Sequence, residues 1–376
     1  MSEAPDIASF AGATDSLLRR VGDVVTSDLA PLVRRIDEGD YPEKVLRRLG
    51  EVGAFSAHAR GNGGGLFEAI AAMSRVGQQC LATSFCMWCQ DAFVWYLQNT
   101  SNGELKRELL SGAAGGRVLG GTGLSNPMKA RAGIEPLLLR GRPVSGGFVV
   151  NGALPFVSNL GPGSHFGTAF DVEGADRQVM AMVDCSLPGI RLGDGARFFA
   201  LDGTRTCSVV FRDVFVPDSL VIADPAAPFV ARIKAGFILL QTGMGLGVIR
   251  GCVDVMRKAD ERCGHVNRFL EDRPDLFVDA LDRLSAEIAV LAETPFDIAR
   301  DYQRCVLQVR LATSEWSLRA AQAALLHAGA KGYLAGATAQ RKLREAYFVA
   351  IVTPSVKHLR MELAEASIPC VPCPES

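Results

Sequence analysis

Residues 146–166 read "GGFVVNGALPFVSNLGPGSHF", a stretch with no helical period, in which Gly146 to Asn151 forms an apolar strand ended by Asn151-Gly152. The same character extends outward from about Arg117 to Ile222. "RQVMAMVD" (177–184) runs apolar, and "TCSVVFRDVFVPDS" (206–219) is rich in β-formers and closed by Pro217. Glycine and proline punctuate this whole third, which predicts a compact domain of antiparallel strands. On both sides the period becomes helical. "YPEKVLRRLGEVGA" (41–54) places Pro42 in a first turn and Val45, Leu46, Leu49 and Val52 on one stripe, and "LFEAIAAMSRVGQQCLA" (66–82) repeats that pattern. Beyond Pro228, Leu276, Val278, Leu281, Leu284, Ile288 and Leu291 form a second stripe, and the alanine-rich "VRLATSEWSLRAAQAALLHAGAKGYL" (309–334) suits tightly packed helix pairs. The expected architecture is α+β: a helical domain over 1–115, a β-domain over 116–225 and a helical bundle over 226–376.

Composition narrows the function. The chain has 376 residues, 48% of them hydrophobic, with 40 Lys+Arg against 41 Asp+Glu. It is long enough for a large core, and it lacks the basic surplus that would neutralise nucleic-acid phosphates or a membrane surface, so neither is an expected partner. The acidic start, "MSEAPDIASFAGATDS", has neither a basic head nor an apolar signal core, and no apolar run of about 18 residues is evident, so a cytoplasmic location is expected. Among the ten cysteines, two pairs have Cys-x-x-Cys spacing. Cys86/Cys89 falls in the apolar helix "SFCMWCQDAFVWYLQ", where small core residues are the better reading; Cys370/Cys373 lies in a proline-rich end. The five histidines are scattered. No metal site is expected.

Specific motifs, in order along nearly the whole chain, resemble those of the acyl-CoA dehydrogenase superfamily. "GGTGLSNPMK" (120–129) has Ser125-Asn126-Pro127 where that family has Thr-Glu-Pro after a strand. Phe156-Val157-Ser158-Asn159 stands for its Trp-Ile-Thr-Asn, and "VVFRDVFVP" is close to its Phe-x-Asp-Val-x-Val-Pro. Gly329-Ala330-Lys331-Gly332-Tyr333 is similar to its Gly-Gly-x-Gly-Tyr turn, and Arg344-Glu345-Ala346 to its Arg-Asp-Ala. The resemblance implies an N-terminal helical domain, a middle antiparallel β-domain and a C-terminal four-helix bundle. It also implies FAD, with FMN as an alternative, at Leu124, Ser125, Phe156, Val157, Ser158, Arg262, Gly329 and Ser355. A flavin needs an apolar stacking face and short donors along its polar edge, which Phe156, Leu124, Ser125 and Ser158 offer. The family's pyrophosphate arginine falls on Asp260, with Cys263 for the following phenylalanine, so Arg262 is its nearest substitute. The adenine end is clasped by a neighbouring subunit in that family, which implies a homodimer or homotetramer.

One departure bears on the reaction. The glutamate that removes the substrate α-proton in that family falls on Thr353, followed by Pro354 and Ser355, and its alternative position falls on Gln241. Threonine is no base near neutral pH. Three readings stay open: an acyl-thioester dehydrogenase with a different base, served by an electron-transfer flavoprotein; a monooxygenase using reduced flavin, oxygen and a flavin reductase; and a non-redox lyase or binding subunit. Cys89 and His327 are the candidate substitutes for the missing group, although Cys89 reads better as a core residue and His327 as a packed, hydrogen-bonded histidine. His358, between Lys357 and Arg360, reads as solvated or phosphate-facing, and Arg344 with Glu345 as an ion-pair network. Trp88, Phe93, Trp95 and Tyr96, if they line the pocket, favour a compact aromatic substrate. Thr353-Pro354 itself reads as the end of one helix and the start of another.

Overall fold

The structure, a computed structural model, describes residues 7–60, 64–194 and 197–366; Cys370 and Cys373 lie outside them. The chain opens with helices α1 (Ile7–Val24), α2 (Val33–Asp37), α3 (Glu43–Glu51), α4 (Leu66–Gln79), α5 (Leu81–Asn99) and α6 (Gly103–Ala114). In α3, Val45, Leu46 and Leu49 are buried while Lys44, Arg47 and Arg48 face outward, as the stripe predicts. Helix α5 has no polar face. Every residue from Leu81 to Leu97 is buried, the pattern of a helix enclosed on all sides.

Helix α7 (Ser125–Arg131) interrupts a sheet built from β1 (Gly120–Thr122), β2 (Leu139–Val144), β3 (Gly147–Val157), β4 (His165–Val172), β5 (Gln178–Asp184), β6 (Ile190–Leu192), β7 (Cys207–Pro217) and β8 (Val221–Ala223). The strand order is β6-β7-β3-β2-β4-β5-β8. An all-antiparallel sheet is not what forms. Strands β1 and β2 both run parallel to β4, β1 against His165–Gly167 and β2 against Asp171–Val172. The chain leaves the edge of β4 at Gly123, makes α7, and returns to that edge at Leu139, which pushes Ser125 out beside the helices. Nor does Asn151-Gly152 end a strand: β3 continues to Val157 through a bulge there, with Gly152 at φ +133°. Asn151 holds the bulge by accepting from the Asp213 amide at 2.9 Å and donating to the Asp213 carboxylate at 3.0 Å.

The closing bundle comprises α8 (Ala226–Asn267), α9 (Pro274–Leu291), α10 (Arg300–Ala328), α11 (Thr338–Ile351) and α12 (Val356–Ala366). Helix α8 is long and apolar enough to cross a membrane, yet 94% of its apolar window is buried inside the protein. It crosses α4 with the backbones in contact: a Cβ on Gly247 would sit 2.7 Å from the Gly77 Cα. The N-terminal helices and the bundle share one continuous core from Leu17 to Leu359, while the sheet has its own around Leu139, Phe166 and Val216.

Candidate active site

Where α5, the start of α7, the end of β3 and the end of α11 converge, they enclose a cavity of about 440 Å³, within the ~300–1,000 Å³ usual for small-molecule sites. Phe85 and Trp88 stack at 5.7 Å on one wall, Phe348 meets Phe85 edge-on at 4.5 Å, and Phe237 meets Trp88 at 5.1 Å. Phe156 and Phe199 stand at the mouth with 56% and 70% of their surface exposed, uncovered aromatic faces on an otherwise packed lining. Phe156 contacts Phe198 edge-on at 6.0 Å.

The segment 197–206 places Phe198 and Phe199 there. Leu201 and Arg205 both adopt left-handed backbone, φ +68° and +46°, on either side of a tight turn at Asp202–Thr204, a conformation that costs non-glycine residues ~1–3 kcal/mol each. The Asp202 carboxylate accepts from the Phe198 amide at 2.8 Å, and the Arg205 guanidinium lies 4.0 Å over the Tyr41 ring. Tyr41 donates to the Asn159 side chain at 2.7 Å, which in turn donates to the Gly120 carbonyl at 2.6 Å, tying the turn after β3 to β1.

A polar edge runs along the cavity. Ser158 Oγ lies 2.6 Å from Thr206 Oγ1, which lies 2.7 Å from Thr204 Oγ1. On the opposite side Ser125 Oγ and Thr353 Oγ1 are 2.9 Å apart. Among the described residues the buried Trp88 Nε1 and Arg344 Nε have no hydrogen-bond partner. The charged residues of the described lining are Lys129 and Arg344, and no carboxylate is among them. Each of those cations is neutralised from behind, Lys129 by Glu135 at 3.1 Å and Arg344 by Asp37 at 2.5 Å.

Helix α11 ends at Ile351 and α12 starts at Val356, with Thr353-Pro354 as a cis turn between them. Gln241 on α8 donates to the Thr353 carbonyl at 2.8 Å, and Arg310 on α10 donates to Gln241 Oε1 at 2.8 Å. Thr353, Ser125, Phe156, Ser158 and Cys89 therefore share one lining. Cys89 is fully buried, and burial pushes its thiol well above the ordinary range. Leu124 faces a second cavity of about 490 Å³, which shares Met128 and Phe237 with the first. Val157 is buried in the sheet core beside Cys207, and Ser355 caps α12 through its carbonyl, which accepts from the Leu359 amide at 2.8 Å; neither lines the cavity.

Arg262 and Gly329 lie elsewhere. From Gln241 to Arg262 is 262 − 241 = 21 residues of α8, about 30 Å of helix. His327 is at that same distant end, with Nδ1 3.0 Å from the Asp260 carboxylate and Nε2 2.8 Å from the Asp272 carbonyl, both ring nitrogens engaged. His358 is buried, 2.8 Å from Glu362, which also binds Lys234 at 2.7 Å; it is not solvated. Arg344 and Glu345 belong to separate networks, since Glu345 pairs with Arg341 and Lys342 at 2.6 and 2.8 Å. Of the four rings expected in the pocket only Trp88 lines it. Trp95 stacks on Phe296 at 5.2 Å and donates to the Ile233 carbonyl, while the Tyr96 hydroxyl lies 2.8 Å from that of Thr122. Among the described residues no three His, Cys, Asp or Glu side chains are grouped for a metal ion.

Residues 13–117 match the family description "Acyl-CoA dehydrogenase, N-terminal domain". The chain is 24% identical over 353 residues to benzylmalonyl-CoA dehydrogenase of Aromatoleum aromaticum, covering 90% of this chain and 93% of that one. Among solved structures, butyryl-CoA dehydrogenase from Megasphaera elsdenii superposes with a TM-score of 0.77 at 17% identity, covering 97% of this chain and 99% of that one. A glutaryl-CoA dehydrogenase from Mycobacterium smegmatis in complex with FADH2 superposes with a TM-score of 0.74 at 17% identity, over 96% of both chains.

Proposed function

Since this chain belongs to the acyl-CoA dehydrogenase superfamily, we propose that it is a flavin-dependent oxidoreductase that dehydrogenates the α,β bond of a compact aromatic acyl thioester, with a base other than residue 353. The observation that carries this reading is the cavity itself: aromatic walls with an uncovered Phe156 ring and hydroxyl edges. The uncovered Phe156 ring fits the face of an isoalloxazine, and Ser158, Thr206 and Ser125 fit its polar edge. The relative solved with FADH2 supports FAD, and FMN would use the same contacts. A bound flavin would supply the two-electron acceptor.

The protein's own groups orient the acyl chain and exclude water. Phe85, Trp88, Phe237 and Phe348 form an apolar slot whose shape suits a ring better than a long flexible chain. Cys89 stays a protonated thiol near neutral pH, and the Thr353 hydroxyl does not ionise there. The proton acceptor therefore sits outside this lining; the neighbouring cavity, which shares Met128 and Phe237, is lined by the carboxylates Glu362 and Glu365. The distance of Arg262 and Gly329 from the cavity of their own chain supports a homo-oligomer in which they serve a neighbour's cofactor. The exposed Tyr333 and Leu334 beside Gly329 fit that role, and solution mass tests it.

The lack of a carboxylate also favours a second reading, hydroxylation by oxygen with reduced flavin from a reductase. Anaerobic bleaching of the flavin by an aromatic acyl-CoA selects dehydrogenation, with an electron-transfer flavoprotein as acceptor. Turnover that requires both oxygen and a reductase selects hydroxylation.

A further inference from the structure

Arg310 is fully buried, yet among the described residues its guanidinium meets only neutral acceptors: Gln241 Oε1 at 2.8 Å, the Val349 carbonyl at 2.9 Å and the Ser314 hydroxyl. Burial lowers its pKa to about 10, so it remains a cation at neutral pH. The buried carboxylate of this region, Glu345, is already shared by Arg341 and Lys342. Burying an unpaired charge is among the costlier things a fold can do. The carbonyl end of α11 offers about half a negative charge to Arg310 through Val349, which leaves a surplus. That surplus sits two hydrogen bonds from the cavity, through Gln241 to the Thr353 carbonyl. The two cations on the lining are neutralised by Glu135 and Asp37, so Arg310 is the cation of this site without a counter-charge in contact.

We propose that Arg310 is a specificity-determining and positioning residue: through Gln241 it holds the Thr353 turn, and its charge selects an acyl ligand carrying a carboxylate at that end of the cavity. This rests on the reading of the cavity as the acyl site. The absence of an acidic residue from the lining is then part of the selection, since a glutamate at 353 would repel such a ligand. At an effective dielectric of about 20, the remaining half charge ~8 Å away favours an anion over its neutral analogue by roughly fivefold.

The test is calorimetric binding of phenylacetate and of phenylacetamide to the purified full-length protein, with flavin content read by absorbance in the same samples. The wild type is expected to prefer the carboxylate by about fivefold, Arg310→Met to lose that preference, and Arg310→Lys to keep most of it. Gln241→Glu, nearly the same shape, places a carboxylate against Arg310 and is expected to abolish the preference without removing any packing, which covers the case where Arg310→Met does not fold. A wild type that binds the two probes equally, or binds neither, overturns the proposal, as does an unchanged preference in Gln241→Glu. Flavin content is a separate readout: a protein without flavin that still shows the preference refutes the redox reading and leaves the anion selection standing.

Discussion

Replacing Thr353 by Glu returns a carboxylate to the turn between α11 and α12, where the present hydroxyl lies 2.9 Å from Ser125 Oγ and the backbone is held by Gln241. Two effects compete for its charge. Enclosure raises a carboxyl pKa, while Arg310, joined to the turn through Gln241, lowers it. At ~8 Å and an effective dielectric of about 20 the attraction is at most about 2 kcal/mol, and it opposes the cost of partial burial beside an open cavity, so the new carboxylate is expected to be ionised at neutral pH. A positioned carboxylate contributes ~10²- to 10⁴-fold to proton abstraction. The assay is anaerobic rapid mixing of the FAD-loaded protein with an arylpropionyl-CoA whose acyl group carries no charge, following loss of oxidised-flavin absorbance. Thr353→Glu should bleach at least about 100-fold faster than the parent, and Thr353→Gln should show no gain. Adding Arg310→Met to Thr353→Glu should move the midpoint of the pH profile upward, because removing the cation removes the term that favours the charged form. An unchanged rate in Thr353→Glu, or an equal gain in Thr353→Gln, refutes the assignment of residue 353 to the position of the base.

Gln90 ties α5 to α6 and β1 by donating to the Ala113 and Val118 carbonyls and accepting from the Gly120 amide, each at 2.9 Å. Gln90→Leu strands three backbone groups and should cost about 3–5 kcal/mol, read as a thermal midpoint lower by several degrees. Phe156→Ala should weaken FAD binding about tenfold in a fluorescence titration while leaving the thermal midpoint nearly unchanged, because the ring is half exposed. Burial raises the Glu362 pKa, but the His358 hydrogen bond and the Lys234 charge outweigh it and hold the group at about 2. The folded pKa lies below the unfolded one, so the stabilisation is full above the ordinary value of 4.5 and lost as pH falls toward 2. It is worth up to ~3 kcal/mol, and Glu362→Gln should flatten the fall of thermal midpoint across that window.

Much of the fold was legible because its signals are local. The stripe of α3, the proline break at Thr353-Pro354 and the β-rich run ending at Pro217 each depend on neighbours within a few residues. What failed to read was set by distant partners. Asn151-Gly152 has the sequence of a turn, but Asp213 on the adjacent strand holds it as a bulge inside β3. Nothing in β1 or β2 reveals that both lie along one edge of β4. The candidate site divided in the same way. Ser125, Phe156, Ser158 and Thr353 come together because the motif order carries them, and Phe198 and Phe199 were missed although "RFFALDGTRT" (197–206) shows two adjacent aromatics next to a glycine turn. Arg310 sits in the apolar run "VLQVRLA" (306–312) of α10, which marks it as buried but not what it meets; only three-dimensional placement shows that, among the described residues, no carboxylate reaches it.

The most direct measurement is an anaerobic titration of the purified protein, as isolated and after incubation with FAD, with an aromatic acyl-CoA while the visible flavin spectrum is recorded. The expected result is a flavin held in stoichiometric amount and bleached by the thioester without oxygen. A protein that takes up neither FAD nor FMN, or a bound flavin that no acyl thioester reduces, would contradict the dehydrogenase reading.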